Sequence, residues 1–299
     1  MNPQKSEPAK TKTSHTVAEG FAEFAEQLVP EYAKREKAEV NLAVIKRQLE
    51  TQYDMSDLAS YGSTDHGTNV SKYSALDRFA VIPSSRLYED SGKSLAVICD
   101  VLKKNFPDTF VTEGRPVIAV PFGEGPSERH HIVPAFKRDS DGDHDIFAIP
   151  APRDRWVIIC PGAHGVWINQ LDTELNNNLK PFIRMVKAWS YFNNKPIWSY
   201  YLELSVADFL KKDANIIYST DLRNFFGYML KRRLEPFDNT PGCAELVYGT
   251  SIAGKGAALS AIRNAVKFST NAQTCEKREQ IAEAFYWWRK MFDWHFTQY

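Results

Sequence analysis

A glycine-serine pair in a polar loop is the first feature of the sequence that could bind a phosphate. Gly62 and Ser63 stand near the start of the segment YGSTDHGTNVSKY. Glycine allows close approach of the backbone to a ligand, and N–H groups at the start of a helix attract an anion. An ordinary turn has the same composition, so the pair alone does not identify a site. The position of the pair supports phosphate binding, because Gly67-Thr68 and then Ser74-Ala75-Leu76-Asp77 follow it and lead into the apolar run DRFAVIP.

A second group of phosphate-binding candidates lies in the segment LKPFIRMVKAW. Its apolar residues recur at helical spacing, and its basic residues Lys180, Arg184 and Lys187 fall together on another face of the predicted helix. Such a face is usually solvated, although a lysine ammonium also binds phosphates as a compact point charge. Ser199 follows the turn NNKPIW and begins the next predicted helix, where a serine can serve as N-cap.

Charge and cysteine content narrow the class of protein that could carry these residues. The chain has 299 residues, with 37 basic and 37 acidic side chains. A neutral chain is a poor candidate for coating nucleic acid, so we do not expect nucleic acid as a partner. The cysteines are scattered without a CxxC pair and are predicted to be reduced thiols, and they are Cys99, Cys160, Cys243 and Cys275. The polar N-terminus and the short apolar runs predict a cytoplasmic protein without a membrane partner.

The elements that must position these residues predict an α+β fold in two lobes. Residues 1–14 are predicted to be a disordered tail, 15–155 a lobe of strands and helices, and 156–299 a helical lobe. The first lobe begins with a long helix over 17–53, in which Pro30 introduces a kink or a restart. Its strands are predicted at 76–83, 116–122 and 130–136, the last two as a hairpin, with an acidic loop at 137–145. The helices of the second lobe are predicted at 179–192, 199–211, 220–234, 255–268 and 274–292.

The order of these segments resembles a known family. Five segments follow one another in the same order as in the SMODS-type CD-NTases. They are RPVIAVPF, HHIVPAF, FAIPAPRDRW, LKPFIRMVKAWSYFNNKPIWSYYLEL and YWWRKMFDWHF. These are bacterial relatives of cyclic GMP-AMP synthase and oligoadenylate synthase in the polymerase-β superfamily, and the similarity runs from about residue 21 to 296. It implies a polymerase-β-like nucleotidyltransferase lobe with a mixed sheet, followed by a helical lobe. It also implies synthesis of a cyclic oligonucleotide messenger from nucleoside triphosphates in anti-phage defence.

The positions that hold metal ions in that family are mostly changed in this chain. The family's Asp-x-Asp pair and third carboxylate clasp two magnesium ions, and they match Ala75, Asp77 and His131. Magnesium prefers hard oxygen ligands. The resemblance therefore implies that Mg²⁺ or Mn²⁺ is bound weakly if at all, through Asp77, and that catalysis is impaired. The sequence leaves open whether Ala75 replaces an aspartate or belongs to a naturally degenerate member.

The other residues matched by the resemblance concern the nucleotide. Gly62 and Ser63 would hold the triphosphate, and Lys187 and Ser199 would reach its phosphates. The retained phosphate contacts fit two functions, an impaired cyclic oligonucleotide synthase or a nucleotide-binding pseudoenzyme that acts as sensor or scaffold with defence partners. The histidines His130 and His131 lie side by side on a predicted strand and face opposite ways. A histidine metal site that also includes His66 is therefore less favoured than structural histidines.

Overall fold

A computed structural model describes residues 16–30, 33–114, 117–122, 129–141, 144–151, 154–195, 197–212, 215–238 and 246–299, with backbone only at 33–39, 139–141 and 144. The helices are α1 (Val17–Gln27), α2 (Ala33–Tyr53), α3 (Ser91–Asn105), α4 (Pro161–Glu174), α5 (Leu179–Phe192), α6 (Ser199–Leu210), α7 (Tyr218–Arg232), α8 (Lys255–Lys277) and α9 (Ile281–Met291). The strands are β1 (Asp57–Ser60), β2 (Leu76–Val81), β3 (Thr112–Glu113), β4 (Ile118–Pro121), β5 (Arg129–Asp141), β6 (His144–Ala151) and β7 (Arg155–Ile159).

The described strands form one mixed sheet, as the family resemblance implies. Strands β1, β2, β5, β4 and β3 lie side by side in that order, and β6 continues from β5 to β7. β2 and β5 are parallel, whereas the other pairs are antiparallel. The long β5 strand pairs with β2 and β4 through its first half and with β6 through its second half. It therefore ties the whole sheet together.

The alternation of side chains along β2 and β5 decides which residues share a face. Ala80 and Ile132 pack under α2 and α3, in a core that also includes Cys99. Phe79 and Val133 belong to a separate apolar cluster on the opposite face. Asp77 and His131 are each two residues before those last two side chains. Both therefore project from the face that α2 and α3 do not cover.

The remaining helices pack into one apolar core. Large side chains such as Trp189, Phe225 and Trp288 are fully buried in it. Phe21 and Phe24 of α1 belong to the same core, so α1 packs with the helical part while α2 packs on the sheet. The predicted helix 17–53 is thus divided at Pro30, which lies between α1 and α2, and its two parts stabilise different parts of the molecule.

Several sequence predictions are confirmed and others need correction. The hairpin of β4 and β5 and the bounds of α5 are as predicted. The predicted loop at 137–145 is wrong, because its described residues belong to the β5–β6 hairpin. There, charged side chains lie on the solvent side, and the Lys137 Nζ is 2.6 Å from the Asp145 Oδ1. The many charged residues of this segment are therefore compatible with a strand, because their side chains can face solvent.

The observed boundary between the sheet and the helical part differs slightly from the predicted one. Strand β7 crosses the predicted boundary at 155/156, so the sheet ends at Ile159. Helix α4 follows and was not predicted, because the glycines of PGAHGVW lower helix propensity. The predicted break between 268 and 274 is absent, because α8 continues through it to Lys277.

None of the described helices is both long and apolar enough to span a membrane. The predicted tail at 1–14 and Cys243 lie outside the described residues.

Candidate functional site

The glycine-serine loop is closed by its own backbone hydrogen bonds. It begins with a 3-10 turn at Gly62–Thr64. The amides of Asp65 and His66 donate to the Gly62 carbonyl at 3.1 and 3.0 Å, and the Thr68 amide donates to the Ser63 carbonyl at 2.8 Å. Gly62 has a φ of +71°, a conformation that side-chain-bearing residues rarely adopt. The loop is therefore a defined turn that depends on glycine at its first position.

This turn lies directly beside Asp77. A Cβ added to Gly62 would be 3.2 Å from the Asp77 Oδ2, and the Tyr61 amide donates to the Asp77 carbonyl at 3.3 Å. Burial, and then the charge of Asp77, raise the pKa of the Tyr61 hydroxyl well above its usual value, so that it stays neutral. The β1–β2 connection thus places Gly62 and Asp77, two residues singled out in the sequence, close together.

Asp77 also meets His131, at paired positions on the parallel strands β2 and β5. The His131 Nδ1 is 3.1 Å from the Asp77 Oδ1, and the two side chains are 27% and 23% exposed. Ala75, two residues before Asp77, is buried and offers no ligand atom. One carboxylate beside an imidazole does not fit a pair of Mg²⁺ ions, which require several oxygen ligands. These three positions therefore do not form a two-metal site.

Lys187 is close to this region but is fully buried and paired. Its Nζ is 2.8 Å from the Glu203 Oε1, and neither side chain has appreciable contact with solvent. Burial by itself would lower the pKa of Lys187, but Glu203 more than offsets it and the pKa is raised. Burial likewise opposes ionisation of Glu203, yet Lys187 and His164 hold its pKa well below the usual range. Both groups are charged, and contact of Lys187 with a phosphate remains a prediction.

Ser199 is the first residue of α6, and Trp198 occupies the N-cap position. The alternative that Ser199 caps the helix is therefore wrong. Its hydroxyl instead forms a 2.8 Å hydrogen bond with the Tyr191 hydroxyl, which joins α5 to α6. A contact between Ser199 and a phosphate likewise remains a prediction.

The other basic residues of α5 lie over the loop. Arg184 donates from Nη2 to the Gly67 carbonyl at 3.1 Å. The Lys180 Nζ is 3.9 Å from the place where a Cβ of Gly67 would be, and 3.8 Å from the Asp172 Oδ2. The sequence placed both residues on one helical face with Lys187. The sequence did not indicate that Lys180 and Arg184 would lie beside the loop with partly exposed side chains, whereas Lys187 would be buried.

Sequence reasoning missed Glu203 and His164 altogether. The Thr68 hydroxyl donates to the Glu203 Oε1 at 2.7 Å, and the His164 Nε2 is 3.0 Å from the Glu203 Oε2. His66 packs against His164, with ring centroids 4.9 Å apart, and not against His130 or His131. The signal available in the sequence was a glutamate within the otherwise apolar run SYYLELSVA, since a charge on a buried helix face requires a partner.

Comparison with solved structures gives the fold. The CdnC protein of E. coli MS115-1, solved with ATP, is 20% identical, with a TM-score of 0.68 over 95% of this chain and 99% of that one. The Vibrio cholerae DncV cyclic AMP-GMP synthase, solved with a linear intermediate, is 9% identical, with a TM-score of 0.74 over 96% and 98%. The Bradyrhizobium diazoefficiens CD-NTase CdnG, solved with GTP, is 13% identical, with a TM-score of 0.68 over 92% and 94%.

E. coli CdnC has also been solved in a complex with HORMA-deltaN, and this structure aligns at 19% identity and a TM-score of 0.65 over 93% of this chain and 98% of that one. No protein-family model matches the sequence, and no curated protein is significantly similar to it. The chain therefore has the nucleotidyltransferase fold of the CD-NTases, which confirms the predicted fold class. A shared fold does not transfer an activity, so function is argued from the residues.

Proposed function

We propose that this protein is a CD-NTase-like nucleotidyltransferase of bacterial anti-phage signalling, which binds a nucleoside triphosphate but is impaired in making a cyclic oligonucleotide. The observation that carries this proposal is the position of Gly62 beside Asp77. It occurs in a fold whose solved neighbours include structures with ATP and with GTP. The protein is expected to act in the cytoplasm.

The residues around the loop offer hydrogen-bond donors and positive charge to a triphosphate. The amides of Gly62 and Ser63 lie in the 3-10 turn, and the Ser63 hydroxyl is a further donor. Lys180 adds an ammonium group near Gly67, with its side chain 24% exposed. Lys187 would reach a phosphate only by exchanging its contact with Glu203. Lys180 therefore complements the phosphate contacts that the family resemblance assigns to Lys187 and Ser199.

The impairment follows from the positions of Ala75 and His131. In nucleotidyl transfer a ribose hydroxyl attacks an α-phosphate and pyrophosphate leaves, so negative charge must be neutralised at the reacting phosphorus. Asp77 is the one carboxylate among the three positions, and its Oδ1 faces His131. We expect Mg²⁺ or Mn²⁺ to bind weakly here, and product to form slowly or not at all.

The alternative function is a nucleotide-binding pseudoenzyme that serves as a sensor or scaffold. The same residues favour it, because the phosphate-binding candidates Gly62 and Ser63 are present while Ala75 and His131 occupy two of the three carboxylate positions. The complex of the structural neighbour CdnC with HORMA-deltaN makes a protein partner in a defence system a reasonable expectation for this chain. The two functions differ in one respect that can be measured, the formation of product.

The test is an incubation with labelled ATP, GTP, CTP and UTP in Mg²⁺ or Mn²⁺, with products resolved by mass. The wild type is compared with Ala75→Asp, His131→Asp and the double variant. Ala257→Asp, on the exposed side of α8, controls for an added carboxylate. Product from the double variant alone would support an impaired synthase. Absence of product from every variant, with triphosphates still bound, would favour the pseudoenzyme. Product from the wild type at the rate of the double variant would contradict the proposed impairment.

Binding is tested separately by calorimetry. Ser63→Ala is expected to weaken ATP binding, because it removes a hydroxyl donor from the loop. Thr274→Ala, in the exposed part of α8, is the matched control for loss of a hydroxyl. Unchanged ATP affinity in Ser63→Ala, or no ATP binding by the wild type, would overturn the proposed site.

A further inference from the structure

Two buried imidazoles and a buried carboxylate face one another between the phosphate loop and two helices. They belong to His66 of the loop, His164 of α4 and Glu203 of α6, and all three residues are nearly or fully inaccessible to solvent. One ligand atom from each can be chosen so that the three lie within 4.8 Å of one another. The Glu203 Oε2 is 3.0 Å from the His164 Nε2 and 3.7 Å from the His66 Nδ1.

The hydrogen bonding of this cluster is incomplete within the part of the chain that the structure describes. Neither ring nitrogen of His66 has a hydrogen-bond partner there, and neither does the His164 Nδ1. A buried polar atom without a partner destabilises the folded state, because it has lost its hydrogen bonds to water. A cation held between the imidazoles and the carboxylate would bring a His66 nitrogen into a bond and so reduce this destabilisation.

The donor set fits a divalent transition-metal ion. Two imidazole nitrogens and one carboxylate oxygen are a set that zinc takes at three-ligand sites, with a fourth position left for water. With bonds of about 2.0–2.2 Å and tetrahedral geometry, neighbouring ligand atoms lie about 3.4 Å apart. The separations of 3.0 and 3.7 Å from the Glu203 Oε2 bracket that value.

The surroundings orient the carboxylate toward the imidazoles. Thr68 and Lys187 both donate to the Glu203 Oε1, at 2.7 and 2.8 Å, so Oε2 is left for His164 and His66. Metal-binding carboxylates are commonly held in this way by outer hydrogen bonds. Lys187 also neutralises part of the charge of Glu203. We therefore expect weaker metal affinity than at a site built from thiolates.

A glycine makes room for the His66 ring. A Cβ added to Gly165, next to His164 on α4, would lie 2.9 Å from the His66 Cδ2. That separation is too short for a real contact, and the ring or the helix would have to shift. The close approach of α4 to the loop therefore depends on Gly165, and it places the two imidazoles together.

We propose that His66, His164 and Glu203 bind one Zn²⁺ ion or a chemically similar divalent ion. The ion would join the phosphate loop to α4 and α6, which are distant in sequence. This site is separate from the Asp77–His131 pair, and its existence does not rest on nucleotide binding or on catalysis.

The test uses the full chain, stripped with a chelator and then equilibrated with micromolar free Zn²⁺. Elemental analysis should find about one zinc per chain. Substitution with Co²⁺ should give the intense visible absorption of a four-coordinate ion. Wild-type protein that retains no zinc, or whose Co²⁺ spectrum is the weak one of a six-coordinate ion, would overturn the proposal even if no variant could be purified.

Variants then assign the ligands. His66→Gln and His164→Gln should each weaken Zn²⁺ binding by at least the ~10–100-fold seen when an outer partner of a ligand is lost. His295→Gln is the matched control, because His295 is exposed and stacks on Phe192 at 4.1 Å between ring centroids. Unchanged zinc binding in both cluster variants would contradict the assignment. Zinc binding that persists while ATP binding fails would count against the proposed function alone.

Discussion

The Nδ1 of His131 lies 3.1 Å from the Oδ1 of Asp77, at paired positions on two parallel strands. An imidazole beside a carboxylate satisfies that carboxylate with a hydrogen bond, whereas two or three carboxylates at the same place would repel one another until a cation joined them. The pair is therefore stable without a metal ion. We therefore expect this pair, together with the absence of a ligand atom at Ala75, to disfavour a two-metal site in this chain.

The double variant Ala75→Asp with His131→Asp should reverse that balance. Three carboxylates would then converge near the Gly62 turn, and their repulsion should lower the stability of the metal-free protein. Mg²⁺ should restore stability, by about 2.7 kcal/mol at a concentration 100 times its Kd. The measurement is thermal unfolding with and without millimolar Mg²⁺, with Ala257→Asp as control. A double variant whose melting temperature is no more Mg²⁺-dependent than the wild type would contradict this account.

Gly62→Ala should destabilise the protein because two effects add. The residue has a φ of +71°, which costs a residue with a Cβ about 1–2 kcal/mol, and the new methyl would lie 3.2 Å from the Asp77 Oδ2. Gly227→Ala in α7 is the matched control, because a Cβ there meets nothing within 4 Å. That change should stabilise the helix by up to about 1 kcal/mol.

Urea unfolding of both glycine variants at neutral pH would measure these differences. The two substitutions should shift the free energy of unfolding in opposite directions. If Gly62→Ala were as stable as the wild type, the close approach of the turn to Asp77 would be wrong.

The sequence predicted the positions that depend on local pattern, and it failed where distant segments meet. The spacing of apolar residues defined α5, and the strand alternation placed His130 and His131 on opposite faces. The burial of Lys187 could not be predicted this way. It depends on Glu203, which is 16 residues away on another helix, and on the loop that supplies Thr68. The sequence pattern of one helix does not show which residue of another helix will lie beside it. The pairing of Lys187 with Glu203 was therefore missed, and contact of Lys187 with a phosphate remains a prediction.

Lys180→Met should weaken ATP binding more than it affects stability. The ammonium group borders Gly67 and its pairing with Asp172 is loose, at 3.8 Å, so it is available to a phosphate. A hydrogen bond to a charged group is worth about 1.5–3 kcal/mol, and we therefore expect roughly ten- to a hundredfold lower affinity. Calorimetry at two salt concentrations should also show a smaller salt dependence, since one charge contact is lost.

The control for this prediction is Lys267→Met, on the exposed side of α8. It removes the same charge from the molecule at a place that the phosphate loop does not contact. Equal loss of ATP affinity in Lys180→Met and Lys267→Met would mean that net charge, and not the position of Lys180, governs binding.

Glu203→Gln should be the most destabilising of these changes, because it leaves the Lys187 ammonium buried without a counter-ion. Removing one partner of a buried ion pair typically costs about 3–5 kcal/mol.

Glu50→Gln is the comparison, since Glu50 pairs with Lys46 at 3.9 Å on the surface of α2 and such a pair contributes about 0.3–0.5 kcal/mol. Urea unfolding of both variants, together with Lys187→Met and the double variant Lys187→Met with Glu203→Gln, completes a thermodynamic cycle. The double variant should lose clearly less than the sum of its single changes. Additive losses would mean that the two charges do not depend on each other, and that Lys187 is free to leave Glu203 for a phosphate at little cost.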